Sequence, residues 1–219
     1  MKVNKIAVIF DMDGVIVQND FYHCKAWEIF CNENGMRIEF EEVKTWFGNI
    51  NCTILQRLFG KRLSDKEIEK MSYRKEEIYR EIYANDIYPV PGLLDFLFEL
   101  QKNEIPIAVA TAAPKENVDF VMEKTGIRHF FRVIIDESGV VNGKPFPEIH
   151  LNAAIALNVT PSQCLVFEDS INGIESGNRA GMKVIGLATT HKIEELNNTV
   201  LNIHDFREID VKTVIKLMN

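Results

Sequence analysis

Four short apolar runs, Ile6 to Phe10, Ile107 to Thr111, Cys164 to Glu168 and Lys183 to Leu187, are each of strand length and lack the alternation of a half-wet strand. Such runs must be covered on both faces, as in a parallel sheet. Helical stripes precede and separate the last three: Leu93, Leu94, Leu97 and Leu100; Val118, Val121 and Met122; Ile149, Ala153, Ala154 and Leu157; then Ile174, Arg179 and Ala180 before Gly181. Strand and helix alternating in this way predict an α/β fold, a doubly wound and mainly parallel sheet. The interval from the first run to Pro89 breaks the pattern. It spans about seventy residues of helical periodicity, too many for an ordinary crossover.

An inserted all-helical module over residues 16–88 is therefore expected, with the α/β core formed by 1–15 and 89–219. Within the insertion, Asn19 or Asp20 can cap a helix that carries Trp27, Ile29 and Phe30 and ends at Gly35. Ser64-Asp65-Lys66-Glu67 reads as a capping box opening a long charged helix through Tyr83. Its charged residues, from Asp65 to Arg80 with Lys61-Arg62 ahead of them, read as a solvated face. Gly14 to Val17 and Tyr88 to Gly92 are the natural hinges, the second stiffened by two prolines.

Composition removes several function classes. The 219 residues are 46% hydrophobic, enough for one full core and a small second module. Lys and Arg number 25 against 32 Asp and Glu, a formal charge of -7, which argues against nucleic acid or an anionic membrane as partner. An anionic substrate must then be held by local charge. The N-terminal stretch Met1 to Lys5 leads into a run too short for a signal sequence, and no stretch approaches a membrane span, so a cytoplasmic address is expected. Cys24, Cys31, Cys52 and Cys164 have no metal-binding or redox spacing and read as reduced thiols.

The chemistry lies where the strands run out. Asp11-Met12-Asp13-Gly14 ends the first run, so Asp11 and Asp13 can share one site at the carboxyl edge of the sheet. Two close carboxylates repel unless a cation lies between them. Phe167-Glu168-Asp169-Ser170 brings further acids to the same edge if its strand is a neighbour. Such a cluster calls for a hard divalent cation, and magnesium is favoured because no His or Cys stands near these acids in sequence. Glu168-Asp169-Ser170 also offers Asp169 or Ser170 as a cap for the next helix. Thr111 ends its strand before the small Ala112 and Ala113, leaving room for a phosphate beside a hydroxyl and free backbone N–H groups. Lys144, framed by Gly143, Pro145 and Pro147, is a fixed cation that can neutralise phosphate and nucleophile together.

Asp-Met-Asp-Gly, Thr111, Gly-Lys-Pro-Phe-Pro-Glu and Phe-Glu-Asp-Ser-Ile-Asn-Gly-Ile-Glu-Ser-Gly-Asn-Arg-Ala-Gly resemble, in order and spacing, the four motifs of the haloacid dehalogenase superfamily. The helical insertion resembles the cap of its subgroup containing β-phosphoglucomutase and small sugar-phosphate phosphatases. The resemblance implies that Asp11 attacks phosphorus, Asp13 protonates the leaving oxygen and later activates water, and Thr111 and Lys144 hold the phosphoryl oxygens. It also implies magnesium on the Asp11 carboxylate, the Asp13 main-chain carbonyl and Asp169, with Glu168 close by. Dehalogenases of the superfamily lack the second acid, so Asp13 argues against carbon–halogen cleavage.

Within the cap, Tyr22-His23 and Trp27 coincide with a Tyr-His and a Trp of the mutase, so His23 and Trp27, with Gly14, Gly48, Asn51 and Ala112, are expected among the substrate-binding residues. The mutase grips a second phosphate with a cap Arg following a Lys-Gly pair. Here the segment reads Trp46-Phe47-Gly48-Asn49-Ile50-Asn51, with Asn51 at the Arg position and Phe47 at the Lys position. Neither can grip a dianion, unless Arg74 or Lys75 substitutes. Trp46 and Phe47 read equally well as a lid for the leaving group or as core of the cap. A magnesium-dependent phosphomonoester hydrolase acting on a small phosphorylated metabolite is expected, with a hexose-phosphate mutase as the alternative. A non-enzymatic phospho-receiver fits less well, because Asp13 would hasten loss of the acyl phosphate.

Overall fold

The computed structural model describes residues 6–46, 50–60 and 63–219. The element order is β1 (Ala7–Phe10), α1 (Asp20–Glu33), α2 (Phe40–Lys44), α3 (Asn51–Phe59), α4 (Asp65–Tyr83), α5 (Leu93–Lys102), β2 (Ile107–Ala110), α6 (Lys115–Thr125), β3 (Val133–Ile135), α7 (Glu148–Leu157), β4 (Cys164–Glu168), α8 (Ile171–Arg179), β5 (Lys183–Leu187), β6 (Leu201–Ile203) and α9 (Val211–Met218). The chain divides into two compact units, residues 1–18 with 88–219, and residues 19–87.

In the first unit six parallel strands lie in the order β3-β2-β1-β4-β5-β6. This is the doubly wound α/β sheet that the alternating runs imply. Strand β1 is central, with Phe10 opposite Val109 of β2 and Phe167 of β4, so the ends of these strands form one edge. Two strands beyond the four apolar runs, β3 and β6, occupy the two sheet edges with three residues each and were not expected.

The sheet is covered on both faces, which is why β1, β2 and β4 are buried throughout. On one face Ile9, Ala108, Ala110 and Val166 pack with Ile149, Ala153 and Leu157 of α7 and Ile174 of α8. On the other, Phe10 stacks on Phe167 with centroids 5.1 Å apart, and Phe96, Phe131 and Phe206 close around Phe10. Burying a Phe side chain stabilises by about 1.5–3 kcal/mol, so this aromatic cluster fixes the strand whose next residue is Asp11.

The second unit is helical. Helix α4 begins at the expected capping box: Glu67 N–H donates to Ser64 Oγ at 3.4 Å, and Ser64 N–H donates to Glu67 Oε2 at 2.9 Å. Asn19 stands at the N-cap of α1, but its side chain does not cap. It donates instead to Tyr79 Oη at 2.6 Å, across to α4. The reading of α4 as a solvated charged face needs correction, because Lys75 and Glu76 are buried. Lys61-Arg62 lie outside the described residues. Among the described residues no helix is long and apolar enough to cross a membrane, and none of the four cysteines forms a disulfide.

Candidate active site

The chain leaves β1 through a tight loop in which Met12 C=O accepts from Ile16 N–H at 2.8 Å and Gly14 N–H donates to Val17 C=O at 2.7 Å. Asp11 is still in the ladder, its N–H donating to Phe167 C=O at 3.0 Å. Gly14 has a φ of +75°, and a Cβ there would sit 1.9 Å from Asp169 Oδ2. Glycine is thus required both by backbone conformation and by the close approach of the acid that follows β4. A second closure comes from the loop after β5. Thr189 Oγ1 donates to Gly14 C=O at 2.5 Å, and Thr190 Oγ1 donates to Asp169 Oδ2.

Glu168, the last residue of β4, is folded beneath the first turn of α8, where a Cβ on Gly173 would meet its Oε2 at 2.0 Å. Ser170 caps this helix by accepting from Gly173 N–H at 3.0 Å, while its hydroxyl donates to Glu168 Oε2 at 3.3 Å. The cap is therefore Ser170, and Asp169 is left for the site. Glu148 fixes the loop carrying Lys144 by accepting from Val141 N–H at 2.8 Å and Asn142 N–H at 3.0 Å.

These supports converge on Lys144, whose Nζ lies 2.9 Å from Asp11 Oδ1 and donates to Glu168 Oε1. All three side chains are at least nine-tenths buried. Burial alone would push the Lys144 ammonium down, but the Asp11 and Glu168 carboxylates more than reverse this and raise it. Asp11 is pushed up to about 7, chiefly by burial; Lys144 opposes the rise while Glu168 and Asp13 add to it. Asp169 is likewise raised well above the usual carboxylate range by burial, then by Glu168 and Asp11. One ammonium does not neutralise this set.

Asp11, Glu168 and Asp169 each present an oxygen within 4.8 Å of the others, a donor set of hard buried carboxylates that a divalent cation would satisfy. Asp13 is half-buried, close enough for its charge to bear on Asp11. Thr111 is buried just past the end of the adjacent β2; its Oγ1 accepts from Ala113 N–H at 3.1 Å, and Ala112 beside it is half-buried. The first unit thus brings Asp11, Gly14, Lys144, Glu168 and Asp169 together, with Asp13 beside them and Thr111 at the neighbouring strand end.

The other expected binding residues belong to the helical unit. His23 stacks on Tyr79, with centroids 4.0 Å apart, and its Nδ1 is 2.9 Å from Lys75 Nζ. Lys75 pairs with Glu76 at 2.9 Å and lies 5.3 Å above the Trp27 ring. Asn51 Nδ2 donates to Glu76 Oε1 at 2.8 Å. Burial would raise Glu76, but Lys75 above all and the Asn51 hydrogen bond draw it down to about 2. Trp46 is core, packed edge-on against Trp27 at 5.8 Å. Phe47 and Gly48 lie outside the described residues. Arg74 is taken up at the surface by Glu33 and Glu77.

Sequence reasoning missed Thr189 and Thr190, whose only signal was their place after a buried strand. It also missed His150 and Ser176, which lie on α7 and α8 behind Glu168.

A parallel α/β core whose strand tips gather acids around a buried lysine defines the class of protein. A family profile described as "Haloacid dehalogenase-like hydrolase" matches residues 8–187, and the chain belongs to that family. It is an enzyme of the phosphatase and phosphotransferase kind, as the resemblance implied. It is 28% identical over 208 residues to validoxylamine A 7'-phosphate phosphatase of Streptomyces hygroscopicus subsp. limoneus, covering 92% of this chain and 94% of that protein. Among solved structures it resembles a family IA, variant 3 hydrolase of this type from Entamoeba histolytica, with TM-score 0.90, 30% identity, and coverage of 97% and 99% of the two chains. It also resembles β-phosphoglucomutase from Clostridium difficile, with TM-score 0.86, 30% identity, and coverage of 97% and 96%.

Proposed function

We propose that the chain is a magnesium-dependent phosphomonoester hydrolase acting on a small phosphorylated metabolite, a sugar phosphate, through an aspartyl-phosphate on Asp11. The observation that carries this reading is the buried Lys144 ammonium beside both Asp11 and Glu168, at the edge of a three-carboxylate cluster. Asp11 presents an oxygen as nucleophile, and Lys144 lowers the repulsion between that carboxylate and an incoming phosphate dianion. Asp13 donates a proton to the leaving oxygen and then takes one from the water that attacks the acyl phosphate. Thr111 and the N–H groups after it hold the phosphoryl oxygens. Asp11, Asp169 and the Asp13 carbonyl would hold magnesium with Glu168 beside them, and the ion would supply the remaining positive charge.

Hydrolysis is favoured over mutase chemistry by the helical unit, which we take to be the cap. A mutase must grip a second phosphate. Lys75 is committed to Glu76 and His23, Arg74 is committed to surface carboxylates, and Asn51 donates to Glu76. None of these offers an unpaired charge to a dianion. His23, Trp27 and Asn51 remain our choice of substrate-binding residues in the helical unit, together with Gly48 outside the described residues, and Gly14 and Ala112 remain our choice in the first unit. The acidic balance of the chain disfavours nucleic acid and anionic membranes as partners, and four cysteines outside any disulfide suit the cytoplasm. The test is an assay of β-glucose 1-phosphate and other sugar phosphates with magnesium and a bisphosphate primer, following inorganic phosphate and glucose 6-phosphate together. Inorganic phosphate should predominate; predominant isomerisation would make the enzyme a mutase.

A further inference from the structure

We propose that Ser176 locks His150 in its Nδ1–H tautomer, making His150 a positioning residue that leaves the Oε1 oxygen of Glu168 to Lys144. His150 and Ser176 are fully buried, on α7 and α8. Ser176 Oγ lies 2.7 Å from Phe146 C=O and 2.9 Å from His150 Nδ1. A carbonyl oxygen only accepts, so the single hydroxyl proton of Ser176 goes to Phe146. The Ser176 oxygen can then only accept from the imidazole, and the ring proton must sit on Nδ1.

A neutral imidazole has one N–H, so Nε2 carries a lone pair. That nitrogen faces Glu168 Oε1 at 3.8 Å and has no hydrogen-bond partner. An imidazolium would turn a second N–H toward Glu168 Oε1, and at 3.8 Å no such hydrogen bond is made. In this tautomer His150 cannot draw on Glu168, whose Oε1 accepts from Lys144. The opposite tautomer would aim an N–H at the same oxygen and compete with the ammonium. The Ser176 hydroxyl also ties α8 to the backbone of Phe146, two residues after Lys144, so one proton fixes the loop and the ring together.

The consequence for turnover rests on the hydrolase reading; the tautomer does not. In the intact protein at neutral pH, long-range proton–nitrogen correlation spectra of histidine should show His150 as the Nδ1–H form, and Ser176→Ala should shift it toward Nε2–H. Lys144 ammonium protons should exchange faster in that variant, a readout needing no turnover. Gln at position 150 can place an amide donor toward Glu168 whereas Asn reaches only toward Ser176. With p-nitrophenyl phosphate and magnesium, His150→Gln should therefore lose about tenfold more kcat/KM than His150→Asn, in the range of lost supporting contacts around a metal site. An Nε2–H tautomer or imidazolium in the wild type would overturn the proposal even if every variant fails to fold. So would equal effects of the two position-150 variants, or unchanged Lys144 exchange in Ser176→Ala. An Nδ1–H tautomer in an enzyme inert toward phosphate esters would strike the hydrolase reading alone.

Discussion

Replacing Lys144 with Met removes the ammonium while keeping much of its volume, and the site says how large the effect should be. Nζ stands 2.9 Å from Asp11 Oδ1 and also pairs with Glu168 Oε1, with side chains 3%, 9% and 0% exposed. At an effective dielectric of about 20, one such pair is worth about 6 kcal/mol of attraction. Relaxation and proton uptake by the abandoned carboxylates absorb part of this, and losing one partner of a buried pair typically costs about 3–5 kcal/mol. For a chain of 219 residues each kcal/mol lowers Tm by about 2–4 °C, so Lys144→Met should melt about 6–20 °C below wild type. The assay is thermal and urea denaturation in EDTA near pH 8. Adding Glu168→Gln takes away the most buried of the stranded charges and should recover about half of the loss. A Lys144→Met variant within about 1 kcal/mol of wild type, or a double variant less stable than the single, would refute the electrostatic account of this site.

Two further perturbations probe the same cluster. Gly173→Ala would drive a methyl into the Glu168 carboxylate, 2.0 Å from Oε2; a destabilisation of about 1–3 kcal/mol by urea titration is expected, with weakened magnesium affinity by calorimetry. In the metal-free protein, Asp11 raised from 3.8 to about 7 contributes stability that is full below pH 3.8 and lost as pH rises through about 7. Metal-free Tm, compared with that of Asp11→Asn, should thus carry an extra decline toward pH 8, and magnesium should restore most there; a magnesium effect that is larger at acid pH would contradict the assignment.

Much of this was readable because the strands that bear chemistry are also the most buried. The runs ending at Phe10, Thr111, Glu168 and Leu187 announce themselves by apolarity, and their ends mark the sheet edge where the acids gather. The three-residue edges β3 and β6 carry half-buried residues and owe their strand character to a neighbour, which no local pattern records. Lys75 and Glu76 mislead in the opposite sense. A buried ion pair looks like solvated surface to any hydropathy reading, and partners distant in sequence, among them His23, Asn51 and the Trp27 ring, justify its burial. Asn19 fits the cap position of α1 by type, yet Tyr79, sixty residues on, offers its side chain a buried partner. Thr190 is reached only through the sheet order that sets β5 beside β4.

The measurement closest to the central claim uses Asp13→Asn with magnesium and p-nitrophenyl phosphate, quenched in acid and mapped by peptide mass spectrometry. A phosphoryl group should accumulate on Asp11, because the nucleophile remains while the base that activates water is gone, and Asp11→Asn should carry none. Turnover of Asp13→Asn at the wild-type rate, or a phosphoryl group on any other residue, would contradict the account.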